Sequence, residues 1–224
     1  MTSIGGPSSG WIYDCIFQEV DIATGELIFE WRASLHYPIN STFEKLKGRG
    51  KTQASAFDFF HINSVQKDSR GDYLISVRHT HTVSTIDHVT GEVLWNLGGT
   101  LNEFTDLSHG ATTDFSWQHD ARWHNDTIIT LFNNAANSNE NATAQSRAMI
   151  LELNVSSRQV ALRAAYYHPQ ELKAVSQGNV QILEGSGNVF VGWGHSATYT
   201  EFDTNNSTVL CDVHFGASAY FTFG

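Results

Sequence analysis

With 224 residues, 41% of them hydrophobic, the chain can bury one substantial core. A formal net charge of −10 with only 13 Lys and Arg leaves no basic face to neutralise phosphates, so neither nucleic acid nor anionic membrane is an expected partner. No apolar run approaches the roughly 18 residues of a membrane span, and no transmembrane segment is expected.

Met1–Gly10 has neither the basic start nor the apolar stretch of a signal peptide. The first patterned text, Phe17 to Trp31, contains Asp21-Ile22-Ala23-Thr24-Gly25-Glu26 between apolar runs. It predicts a hairpin: the Asp side chain bonds its own turn, Gly supplies a permissive φ, and a β-rich strand returns. Ser41 to Lys47 is a candidate short helix. Phe57 to Val65 carries His61 in Phe60-His61-Ile62-Asn63-Ser64, and Gly71 to Arg78 reads as a turn feeding a strand.

His79 and His81 then form His-x-His, which on a strand would share one face. That pattern suits a metal ion, but no spacing singles out a third ligand, and neither metal nor cofactor is expected. Val83 to Trp95 repeats the hairpin text as Asp87-His88-Val89-Thr90-Gly91-Glu92. Weaker copies stand at Ile150 to Leu162, around Asn154, and at Thr200 to Leu210, around Asp203. Between them lie His119 in Gln118-His119-Asp120, a strand at Asp126 to Phe132, a short helical candidate at His168 to Ala174, and His195 after the strand Gly187 to Trp193.

The four markers, Asp21, Asp87, Asn154 and Asp203, recur at intervals of about 50 to 65 residues, which suits a four-stranded unit of about 40–50 residues plus loops. The expected fold is therefore all-β: a β-propeller of four-stranded blades forming a single domain over 1–224. About four blades' worth of text is present. The apolar ending Ser218–Gly224 suggests a partial propeller, truncated at both ends.

Six glycosylation sequons begin at Asn40, Asn125, Asn141, Asn154, Asn205 and Asn206, which points to a secreted protein. Cys15 and Cys211 stand near opposite ends. They are read either as a disulfide tying the ends or as two buried thiols.

Eleven histidines is a high count. His61, His119 and His195 lie in polar settings beside strands, and Arg78, Arg122 and Arg147 are available to hold an anion by a donor fork. A neutral histidine can attack an electrophilic sulfur or phosphorus and carry the group covalently. Asp58, Asp120, Glu201 and Asp203 are candidates for acid–base work. Against this stands the ordinary role of an isolated histidine as a structural hydrogen-bonder.

The segments Ser9 to Glu26, Phe60 to Val65, Gly71 to His79, Gly91 to Gly99, Phe115 to Arg122, Leu131 to Asn134, Ser146-Arg147 and Gly187 to Gly194 resemble, in one order, the arylsulfotransferase family, in particular its fungal secreted branch. The resemblance implies a propeller like that of the PQQ-dependent enzymes. It also implies sulfuryl transfer from a phenolic sulfate ester to a phenol acceptor through a sulfo-histidine, without a nucleotide sulfate donor. Carried over by motif, His61 and His119 bind or polarise the sulfuryl group, Arg147 is the guanidinium partner and His195 is the nearest candidate nucleophile. Asn133 stands where the family usually has Asp. The competing expectation is a non-catalytic propeller that binds a ligand or partner; a third is lyase or cyclase chemistry on the same scaffold.

Overall fold

The computed structural model describes residues 1–136, 144–205 and 207–216. The chain divides into two compact units, Met1–Phe104 and Thr105–Gly224. The strands of the first are β1 (Ile12–Tyr13), β2 (Ile16–Val20), β3 (Leu27–Arg32), β4 (Phe57–Asp58), β5 (Ile62–Lys67), β6 (Tyr73–Val77), β7 (Thr82–Ile86) and β8 (Val93–Leu97). Those of the second are β9 (Thr105–Asp106), β10 (His119–Trp123), β11 (Ile128–Asn133), β12 (Arg147–Asn154), β13 (Gln159–Tyr167), β14 (Asn179–Ile182), β15 (Val189–Gly192), β16 (Thr198–Phe202) and β17 (Val209–His214).

All four sequence markers sit at hairpin turns. Asp21 Oδ1 accepts the N–H groups of Ala23 and Thr24, and Asp87 Oδ1 those of Val89 and Thr90. Asn154 Oδ1 accepts from Ser157, and Asp203 Oδ1 from Asn205. Four residues past each marker the backbone turns left-handed: Gly25 (φ 74°), Gly91 (φ 75°), Arg158 (φ 53°) and Ser207 (φ 56°). The two weak copies thus adopt the glycine conformation without glycine, at a local strain cost that the flanking ladders hold in place.

The sheets correct the expected propeller. In the first unit β1 and β4 pair in parallel, β2 and β3 form a hairpin that among the described residues pairs only with itself, and β5-β6-β7-β8 is an antiparallel meander. In the second, β10 to β13 run antiparallel with β9 added in parallel at β13, and β14 to β17 form another meander. These are open sheets of two, four and five strands and of mixed direction, not a closed ring of four-stranded blades; the PQQ-enzyme-like shape fails for the same reason. The recurring text encodes a turn and the strands beside it. Strand number per sheet and closure depend on long-range pairing, which that text does not contain.

Among the described residues there is no α-helix. Ser41 ends a single 3-10 turn, Ile39–Ser41, and 168–174 forms turns and irregular chain. Segments this short gain too few hydrogen bonds to offset helix nucleation. No helix is long and apolar enough to cross a membrane. Ser218–Gly224, Asn141 and Asn206 lie outside the described residues.

Each unit has its own core. The first is aromatic: Phe17, Trp31, Tyr37, Phe57 and Phe60 pack with the strand β6, whose five residues are all buried. The second gathers Phe132, Tyr166, Val191, Trp193 and Phe202. Cys15 is half-buried, Cys211 is exposed, and both are free thiols.

Candidate active site

In the first unit, the short β4 ends on Asp58, and the fully buried Phe59 and Phe60 anchor the chain that follows. His61 then takes a left-handed conformation (φ 63°) immediately before β5. Such conformations at bulky residues cluster where function over-determines the backbone. Here the constraint is visible. His61 N–H donates to Cys15 Sγ (3.2 Å), His61 O accepts Arg78 N–H (3.0 Å), and Phe60 O accepts His79 N–H (3.1 Å).

That backbone turns the His61 ring onto the carboxylate three residues earlier. His61 Nδ1 lies 2.5 Å from Asp58 Oδ2. A carboxylate only accepts, so Nδ1 carries the proton and Nε2 keeps its lone pair. The side chain is 42% exposed, and among the described residues nothing else bonds to it. Burial tends to raise the Asp58 pKa, but the His61 hydrogen bond and the electrostatic influence of the His79 and His61 rings outweigh it and hold Asp58 below the usual carboxylate range.

His79 completes the cluster, its ring centroid 4.7 Å from that of His61. Its Nδ1 donates to the Asp58 carbonyl (2.8 Å), and its Nε2 accepts from Arg78 Nη1 (3.0 Å). Burial, chiefly, pushes its pKa down to about 4, so it is neutral at pH 7. His-x-His does not lie on a strand: residues 78–81 form the turn between β6 and β7, and His81 stacks on Phe43 with ring centroids 4.2 Å apart. Asp58, His61 and His79 offer donor atoms within 4.8 Å of one another. Both His79 nitrogens are already engaged, however, and the Arg78 cation touches the group, so the cluster suits an anion better than a metal.

The depressed His79 pKa carries a stability prediction. Between pH 6.5 and about 4 the unfolded chain takes up a proton on this residue that the folded one refuses. The contribution is complete above the unfolded value and lost as pH falls through that window. Urea midpoints are expected to drop from pH 7 to pH 4.5 in the wild type and to drop less in His79→Gln.

In the second unit, His119 begins β10, next to left-handed Trp117 and Asp120. Its Nδ1 bonds Asn134 Oδ1 (2.8 Å), and its Nε2 accepts the N–H of Gln177 (3.2 Å). Both nitrogens therefore hold structure. Arg147, at the start of β12 and buried, pairs with Asp114 and also donates to Ala111 O (3.1 Å) and Tyr167 OH (3.3 Å). It lines a cavity of about 310 Å³ with Asp114, Ser116, Asn133, Gln145 and Tyr167. Asn133 Oδ1 accepts the N–H groups of Ser116 and Ala135.

His195 follows β15 and donates its backbone N–H to Ser176 O (3.2 Å), beside the Gln177 that binds His119. Among the described residues its buried Nδ1 has no hydrogen-bond partner. Of the other acids named from sequence, Asp120 pairs with Arg122, Glu201 with Asn188, and Asp203 caps its turn.

A family model described as arylsulfotransferase matches residues 1–216. The chain belongs to the arylsulfotransferase family. No curated protein matches it. Among solved structures it is similar to a protein of unknown function from Bacteroides caccae, at 14% identity and a TM-score of 0.48. The match covers 93% of this chain and 57% of that one, so the chain spans little more than half the length of that relative.

Sequence reasoning had named His61, Asp58, Arg78 and His79 in separate roles. It missed a second cluster, His168 with Asp212 and His214. The alternation Asp212-x-His214 was its only local signal.

Proposed function

We propose that this arylsulfotransferase-family chain transfers a sulfuryl group from an aryl sulfate ester to a phenol, with His61 as the nucleophile and without a nucleotide donor. The observation that carries the reading is the Asp58–His61 pair, which leaves one imidazole nitrogen bare and exposed. His61 Nε2 would attack sulfur, the S–O bond to the aryl group would break, and the phenolate would leave. Sulfation makes the ring formally cationic while Nδ1 keeps its proton, and the Asp58 carboxylate stabilises that charge. In the second half-reaction the acceptor phenol oxygen attacks the same sulfur, its proton passes to solvent, and Nε2 is freed. Arg78, bonded to the neighbouring His79 ring, supplies positive charge beside the sulfuryl oxygens.

A secretory route belongs to the same proposal, supported by the exposure of Asn40, Asn125, Asn154 and Asn205.

Intact-protein mass spectrometry after mixing with nitrophenyl sulfate tests the chemistry. The expected result is a mass gain of one sulfuryl group on the peptide holding His61, discharged by added phenol and absent in His61→Ala. No adduct on folded protein, or an adduct that persists in His61→Ala, would overturn the assignment and favour a ligand-binding role or another nucleophile.

A further inference from the structure

We propose that His168, Asp212 and His214 form a binding site for a divalent metal ion of the zinc type, in the second unit and separate from the His61 chemistry. Asp212 and His214 alternate on β17 and so present their side chains on one face, while His168 directly follows β13. The three donor atoms all lie within 4.8 Å of one another. His168 Nε2 is 3.3 Å from Asp212 Oδ1, and His214 Nε2 is 3.3 Å from Asp212 Oδ2. Donors bound at about 2.0–2.1 Å around a tetrahedral zinc stand about 3.3 Å apart, the spacing of each histidine nitrogen from its nearer Asp212 oxygen; the two histidines face different oxygens, so the carboxylate must shift for one ion to take all three.

An independent observation points the same way. His168 is 2% exposed, yet its Nε2, aimed at this cluster, makes no hydrogen bond among the described residues. The 3.3 Å contact to Asp212 Oδ1 is at most a weak hydrogen bond, and a buried imidazole nitrogen so loosely held can take a better partner. Burial, chiefly, lowers the His168 pKa and keeps the ring neutral, the state in which it ligates.

The surroundings are those of an oriented site. Trp193 Nε1 donates to Thr200 Oγ1 (2.9 Å), and Thr200 Oγ1 donates to Asp212 Oδ1 (2.7 Å), which fixes the carboxylate. The Trp193 ring meets His168 edge-on, with centroids 5.2 Å apart. The groups acting most strongly on Asp212 are Thr200, His168 and His214, with no lysine or arginine among them. The Asp58 cluster, by contrast, has Arg78 in contact.

One contact must change. The Gln170 amide donates to His168 Nδ1 (3.1 Å), which leaves the ring proton on Nε2. Metal binding at Nε2 moves that proton to Nδ1, and Gln170, exposed in a turn, then turns its amide to water.

The test is calorimetric titration of Zn(II) into the full chain after chelator treatment and dialysis, with Co(II) absorption to report tetrahedral nitrogen and oxygen ligation. The expected result is one equivalent bound, with affinity more than about 10-fold weaker in both His214→Ala and Asp212→Asn, because losing even an outer-shell partner costs that much. His61→Ala should bind as the wild type does. Neither variant alters a core side chain, and circular dichroism checks their fold. No binding, equal binding in both variants, or loss of binding in His61→Ala would each overturn the site. The first two outcomes leave the sulfuryl-transfer reading untouched; the third would place the metal at His61 and count against that reading as well.

Discussion

Asp58→Asn is expected to slow sulfuryl transfer by about 10²–10⁴-fold, the range over which a positioned acid–base partner acts. Two effects combine. The carboxylate holds the His61 proton on Nδ1, whereas an amide can present its NH2 group instead and move that proton to Nε2, the nitrogen that must attack. An amide also carries no charge to balance the cationic sulfo-imidazole. Stability is expected to move little, because two effects oppose each other: the depressed Asp58 pKa means that the fold favours the charged carboxylate, while its Oδ1 is buried without a hydrogen-bond partner among the described residues. Stopped-flow release of nitrophenol, read beside a urea unfolding curve, separates the two. A rate within a few-fold of wild type would show that Asp58 does not direct His61. A joint fall in rate and stability would make it a structural residue.

What the sequence revealed and what it concealed divide along range. Asp21, Asp87, Asn154 and Asp203 were legible because an Asx turn is local: the side chain bonds N–H groups two or three residues on, and the motif carries its own geometry. The same local text returns β2–β3 and β7–β8 as hairpins. It cannot tell that β2–β3 stays a two-stranded sheet while β7–β8 ends a meander of four. Closure was inferred from repetition, and repetition of turns fixes neither sheet size nor strand direction; the parallel β9 at β13 leaves no trace in the turn pattern.

The candidate site shows the same division. Asp58 and His61 are three residues apart, so their pairing needed only one unusual φ, and nothing in Phe-Asp-Phe-Phe-His announces that φ. His119 looked equivalent, in Trp117-Gln118-His119. Its fate was decided by Gln177 and Asn134, distant residues that take both of its nitrogens. Arg147 likewise spends its charge on Asp114. A histidine's chemistry depends on which nitrogen is left over, and only the fold settles that.

Trp31→Ala is expected to destabilise the first unit by about 3–5 kcal/mol, in the range for a fully buried aromatic truncated to alanine. An isolated two-stranded hairpin is marginal in water, and among the described residues β2–β3 has no third strand. Trp31, 2% exposed on β3, is what fastens it. Its ring centroid lies 5.6 Å from Phe17, 5.0 Å from His36 and 5.9 Å from Phe60, and its Nε1 donates to Gly91 O (3.0 Å) in the β7–β8 turn. Alanine removes the packing and strands the Gly91 carbonyl. Phenylalanine keeps most of the packing and is expected to lose only about 0.5–1.5 kcal/mol with the hydrogen bond. Urea midpoints give the sizes, and amide exchange gives the place: β2–β3 protection should fall first in Trp31→Ala. Because Phe60 touches Trp31 and precedes His61, the alanine variant should also slow sulfuryl transfer while the phenylalanine variant does not. Equal losses in both would mean that the Gly91 bond, rather than the aromatic stack, holds the hairpin to the candidate site.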